Sequence, residues 1–201
     1  MKLYSMPSSG NSYKVRLLLA LLGQRVEVVD CENGSAALGR AKADGALPYG
    51  KLPTLHLDDG RQIAESNAIL CYLGEGTAFW PADPVVRAQM LGWLFWEQYN
   101  HEPAIAVRGA LRTYPHRAAQ ATPERMAELL ARGHAVLQVM EDRLAGHDWL
   151  AGDAVSLADI CLYGYTHSAG KLGGFDMARF PAVNRWLGRV AALPGHVGLH
   201  G

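Results

Sequence analysis

Three short stretches of the chain put polar side chains where backbone geometry makes them chemically useful. The first, Ser8-Ser9-Gly10-Asn11-Ser12, follows the apolar run Leu3-Tyr4-Ser5-Met6-Pro7 and opens a helix striped by Val15, Leu18, Leu19 and Leu22. The first N–H groups of a helix lack intrahelical acceptors and the helix dipole is positive there, so this turn suits an anion. A serine hydroxyl at neutral pH donates to such an anion and does not act as a base toward it. The second stretch, Lys51-Leu52-Pro53, sets a proline at the start of a strand. A cis bond before it would turn the N–H and C=O of Leu52 outward. The third, Glu65-Ser66, opens another helix. A hydroxyl with helical N–H groups suits a carboxylate, and the acidic neighbour suits an ammonium, so the pair matches a zwitterion.

These stretches need strands and helices to hold them, and the hydrophobic period supplies the order. Lys2 to Met6 reads as a strand, Ser12 to Leu22 as a helix ending at Gly23, and Arg25 to Asp30 as a second strand. The helical crossover predicts that these two strands are parallel. Residues 34–45 hold small residues and at most one short helix. Pro53 to Leu57 and Arg61 to Ala64 flank Asp58-Asp59-Gly60, which marks a hairpin, and a helix follows from Glu65-Ser66. The pattern is βαβ then ββα. Residues 75–84 carry Pro81 and Pro84 and read as a linker. Beyond them only helices are expected: Val85 to about Arg112, one from Thr122-Pro123, one from Ser156, and Pro181 to Leu193. The expected partition is therefore an α/β domain over 1–74, a linker over 75–84 and an all-helical domain over 85–201.

Composition narrows the function classes. The 201 residues are 49% hydrophobic and carry 19 basic and 19 acidic side chains, which offers no electrostatic case for nucleic acid or an anionic membrane. No apolar run approaches the roughly 20 residues of a membrane span, and the start lacks a signal-peptide layout. Cys31, Cys71 and Cys161 are far apart and read as reduced thiols, and the histidines show no metal spacing, so no metal site is expected. Ser156 and Asp159 form a capping-box pattern with Asp in place of Glu, which reads as a folding element. Trp93, Trp96, Tyr99, His101 and Arg108 on the long helix read as packing residues before pocket residues.

Taken together, "SSGNSYKVR", "GKLPTL", "ESNAILCYL" and "GDAVSLADI" resemble, in order and spacing, the cytosolic glutathione transferase superfamily. The resemblance spans the whole chain. It implies a thioredoxin-like N-terminal domain followed by an all-α helical domain. Thioredoxin-like domains that make their own thiolate place two cysteines at the first helix, and here that frame is Ser9-Gly10-Asn11-Ser12. The resemblance thus implies a visiting thiol, that of glutathione. Ser9 falls on the catalytic serine of the theta and zeta classes. Asn11 falls on the asparagine of the bacterial Nu-like proteins. Leu52 and Pro53 would meet the cysteinyl backbone, Lys51 the glycine carboxylate, and Glu65 with Ser66 the γ-glutamyl zwitterion.

The activity so implied is a cytoplasmic glutathione transferase that activates the thiol toward a small apolar electrophile. Glutathione would serve as co-substrate, without a metal, in a homodimer with a role in detoxification. A Nu-like disulfide oxidoreductase is the alternative, and a non-catalytic binding protein on the same fold is the rival from another class. The segment "ALPYGKLP" departs from the family's usual "NPNGKVP", so no glutathione contact is assigned within residues 35–49.

Overall fold

The computed structural model describes residues 1–200. Two compact units form: Met1–Trp80 joined by residues 191–200, and Pro81–Val190. The sequence placed everything after residue 84 in the helical half; the last ten described residues instead pack with the first unit.

In the first unit, strand β1 (Lys2–Ser5) lies parallel to β2 (Glu27–Asp30) and antiparallel to β3 (Thr54–His56), which pairs with β4 (Gln62–Ala64). The order β2-β1-β3-β4 makes one four-stranded mixed sheet. Helix α1 (Gly10–Leu21) is the crossover between the parallel strands, and it packs with α3 (Ser66–Gly74). Gly23 closes α1 with φ 63° and an N–H bonded to Ala20 O at 3.0 Å, a conformation that favours glycine. Alternation along the strands divides the faces. Tyr4 and Val29 join Cys31, Ala41, Leu47 and Leu52 in a cluster with α2 (Ala36–Ala43), while Leu3 and Leu55, both fully buried, pair across the ladder with the opposite orientation. Helix α2 resolves the ambiguous small-residue segment, with Ser35 as its N-cap.

The second unit is helical, as expected: α4 (Pro84–Trp96), a π-helical turn (Glu97–His101), α5 (Glu102–Thr113), α6 (Pro123–Ala145), α7 (Leu157–Thr166) and α8 (Pro181–Ala191, its last residue in the first unit). The sequence shows one helix over 85–112; the structure widens it at 97–101. Pro103 has no N–H to give the preceding turn, and the widened turn lies just before it. Of the expected packing stripe, His101 and Arg108 are buried, Trp93 and Trp96 are half-buried, and Tyr99 is 83% exposed. The capping box at Ser156 is present, with Asp159 fully buried.

Candidate active site

The three polar stretches leave the sheet at the same end, and the ladder explains why. Thr54 pairs with Tyr4 on one side and Ala64 on the other. One step further along that register brings Pro53 level with Ser5 and Glu65, where β1 runs into the Ser8–Ser9 turn and β4 into α3. The Leu52–Pro53 bond is cis. Pro53 is buried, and Leu52 packs on the α2-side cluster. Lys51 is exposed and makes no ion pair among the described residues; its carbonyl accepts the Thr54 hydroxyl at 3.3 Å.

Ser9 is the N-cap of α1, with an extended backbone at φ −87° and ψ 128°. Its N–H reaches Met6 O at 3.0 Å and its Oγ accepts the Ser12 N–H at 3.4 Å. Among the described residues that is the only bond of the Ser9 hydroxyl, so its own proton is uncommitted. The neighbouring hydroxyls are engaged: Ser8 Oγ donates to Glu32 Oε1 at 2.8 Å, and buried Ser12 Oγ accepts the Met6 N–H at 2.9 Å. The first turn of α1 has no acidic residue, so nothing within it cancels the positive helix terminus.

Asn11 joins this turn to the third stretch. Its Oδ1 accepts the ammonium of fully buried Lys14 at 2.8 Å and the hydroxyl of Ser66 at 3.1 Å. Two donors on that oxygen fix the amide's orientation. Ser66, 4% exposed, is the first residue of α3. Glu65 before it is exposed and holds φ 69° and ψ 119°, and its side chain makes no cap bond. A non-glycine residue there is strained. This is the one such residue among those described, and it falls in a stretch already singled out for chemistry.

Four contributors were not legible as site residues. Lys14 and Arg16 stand inside the first motif but read only as helix positions. Arg16 donates to Ser5 Oγ at 2.6 Å, Met6 O at 3.3 Å and Pro7 O at 3.0 Å, which fixes the approach to Ser9. Its second Nη also reaches Leu199 O at 2.8 Å, and Tyr13 donates to Val197 O at 2.8 Å, which ties the returning segment to α1. Glu32, just past β2, accepts both the N–H and the hydroxyl of Ser8. Among the described residues no group of three or more His, Cys, Asp or Glu is placed to hold a metal.

Comparison with known proteins places this arrangement in a family. Residues 3–78 match the model "Glutathione S-transferase, N-terminal domain", and residues 104–194 match "Glutathione S-transferase, C-terminal domain". The crystal structure of a glutathione S-transferase from Pseudomonas fluorescens superposes with a TM-score of 0.92 at 41% identity, covering 100% of this chain and 98% of that one. Glutathione S-transferase 3 of Zea mays is 32% identical over 96% of this chain and 90% of its own length. Disulfide-bond oxidoreductase YfcG of Escherichia coli is 28% identical with the same 96% and 90% coverage.

Proposed function

The chain belongs to the glutathione S-transferase superfamily, and from that premise we propose that it is an enzyme that binds glutathione in its first unit and activates the thiol for nucleophilic attack. The observation that carries the reading is the Ser9 hydroxyl: an uncommitted donor at the start of an acid-free helix turn that contains no cysteine. A thiol arriving there loses its proton to solvent more easily, because the thiolate gains the Ser9 O–H, helix N–H groups and the dipole. Lowering its pKa by about two units takes roughly 2.7 kcal/mol of preference for the thiolate, the scale of one charge-assisted hydrogen bond plus a helix terminus.

The rest of the tripeptide follows from the same end of the sheet. The γ-glutamyl carboxylate takes the first N–H groups of α3 and the Ser66 hydroxyl, which turns to it from Asn11 Oδ1, and its ammonium meets Glu65. The cysteinyl backbone runs beside Leu52 and Pro53, and the glycine carboxylate faces Lys51. The thiolate then attacks an electrophilic carbon of a small apolar substrate, forming a C–S bond by addition or with departure of a leaving group. Titrating the ultraviolet thiolate absorbance of bound glutathione tests this: Ser9→Ala raises the pKa with little change in affinity. The same pKa in both proteins removes Ser9 from the mechanism.

A second reading, glutathione-dependent disulfide reduction, is favoured by the fixed Asn11 amide and by the named activity of the Escherichia coli relative. There the thiolate attacks a disulfide sulfur and expels the other as a thiolate. Panels of electrophiles and of disulfides, run on wild type, Ser9→Ala and Asn11→Ala, separate the two. We further propose a cytoplasmic homodimer with a role in detoxification. The exposed aromatics Phe95 and Tyr99 in the second unit and Tyr72 in the first supply apolar surface for a second copy. Among the described residues no helix is long and apolar enough to cross a membrane.

A further inference from the structure

We infer that the Glu32 carboxylate is a positioning residue for thiol activation: by holding Ser8 at both its N–H and its hydroxyl, it sets the turn from which Ser9 donates to the sulfur. The inference deepens the proposed role of Ser9 and rests on it.

The geometry is built from the sheet outward. The β1–β2 ladder runs to Ser5 opposite Asp30, and Cys31 N–H still reaches Ser5 O at 2.7 Å. Glu32 therefore leaves the sheet from a fixed place, beside the chain that climbs from Ser5 to Ser9. Its Oε2 accepts the Ser8 N–H at 3.1 Å, while Oε1 accepts the Ser8 hydroxyl at 2.8 Å and the Asn33 N–H at 2.9 Å. Arg16 holds the carbonyls of Met6 and Pro7 just before. Between these clamps and helix α1, the Ser9 backbone has few conformations left, and its Oγ is held at the helix start, accepting the Ser12 N–H, before any ligand arrives. Such preorganisation makes one hydrogen bond count fully toward the thiolate.

Charge alone argues against a carboxylate here. Burial pushes the Glu32 carboxyl up, but hydrogen bonds from Asn33 and Ser8 outweigh it and hold the group below its usual value, so it is an anion at neutral pH. A fixed anion beside a thiol opposes the thiol's ionisation. The benefit of Glu32 must then be geometric, and this gives the test a sign.

The experiment titrates the bound thiol in wild type, Ser9→Ala, Glu32→Gln and Glu32→Asp, alongside kcat, KM and thermal unfolding. In Glu32→Gln the amide oxygen retains the Ser8 hydroxyl and Asn33 N–H, but the NH2 faces the Ser8 N–H and releases the backbone. The expected result is a bound-thiol pKa about one unit higher, a kcat about threefold lower at neutral pH as the thiolate fraction falls, and a KM for glutathione within about twofold of wild type. Glu32→Asp keeps the charge, shortens the reach, and raises the pKa likewise. A charge effect without positioning gives the opposite sign in Gln and no change in Asp; either result overturns the inference, as does an unmoved pKa in both. If both variants fail to fold, Glu32 is a structural residue and the inference falls as well. An unmoved pKa in Ser9→Ala overturns the Ser9 reading instead, and a shift in Ser9→Ala without one in Glu32→Gln confines the failure to Glu32.

Discussion

Replacing Asp159 with alanine tests whether the capping box is only a helix cap or a keystone of the second unit. A lost cap costs about 0.5–2 kcal/mol. The structure adds to that. Asp159 is fully buried, and its Oδ2 accepts the Ser156 N–H at 2.9 Å and hydroxyl at 3.2 Å. Its Oδ1 accepts the Leu150 N–H at 3.0 Å and the Trp186 indole N–H at 2.9 Å, so one carboxylate joins the loop before α7, the start of α7 and helix α8. Alanine strands three buried N–H donors, on Leu150, Ser156 and Trp186. At about 1–3 kcal/mol per unmet donor, less what the carboxylate paid in desolvation, the loss is about 3–5 kcal/mol. That desolvation is real: burial pushes the Asp159 pKa up more than its four hydrogen bonds pull it down. The corresponding fall in Tm is about 10 °C for a chain of this size. Urea unfolding followed by tryptophan fluorescence and far-ultraviolet circular dichroism measures it, with Ser156→Ala as the smaller-effect control. A loss below about 1 kcal/mol would refute the accounting of donors, and a stable but inactive Asp159→Ala protein would show that the residue belongs to the chemistry.

Further outcomes follow from the site. Ser66→Ala and Glu65→Ala each weaken glutathione binding by about 1.5–3 kcal/mol, the worth of a hydrogen bond to a charged group; unchanged calorimetric binding in both removes the zwitterion site. Glu65→Gly separates strain from function: it relieves the positive φ of 69° and stabilises the fold by up to about 1 kcal/mol, while glutathione binding falls. A less stable Glu65→Gly protein would mean that the Glu65 side chain, and not its backbone, governs the local energy. Sedimentation at micromolar concentration gives about twice the 21.8 kDa chain mass, and Tyr99→Glu, at a residue 83% exposed, shifts the protein toward monomer. A dimer untouched by that charge places the contact elsewhere.

Much of the fold is written in local sequence. Helix starts at Thr122 and Ser156 are set by side chains bonding N–H groups two or three residues ahead, so a short window suffices to find them, whereas α1, expected from Ser12, begins at Gly10 with Ser9 as its cap. The βαβ-ββα order follows from periodicity, and the parallel pairing of β1 and β2 from the crossover between them. The stretches at Ser9, Lys51 to Pro53 and Glu65-Ser66 were visible for the same reason: each is a few polar residues at a predictable end of an element. What the sequence left undecided lies between distant residues. That the Ser8 hydroxyl gives its proton away depends on Glu32, 24 residues away, and the approach to Ser9 depends on Arg16, which is also held by Leu199 from 183 residues away. Lys14 reads only as a helix position, yet tertiary packing buries it completely, bonded to Asn11. The π-helical turn at Glu97–His101 carries no periodic signature of its own, and its one local cue is Pro103 just beyond it. A hydrogen bond that closes across a fold leaves no periodic trace in the chain, since its partners are matched in space by the sheet and helices that bring them together, and not by their spacing in sequence.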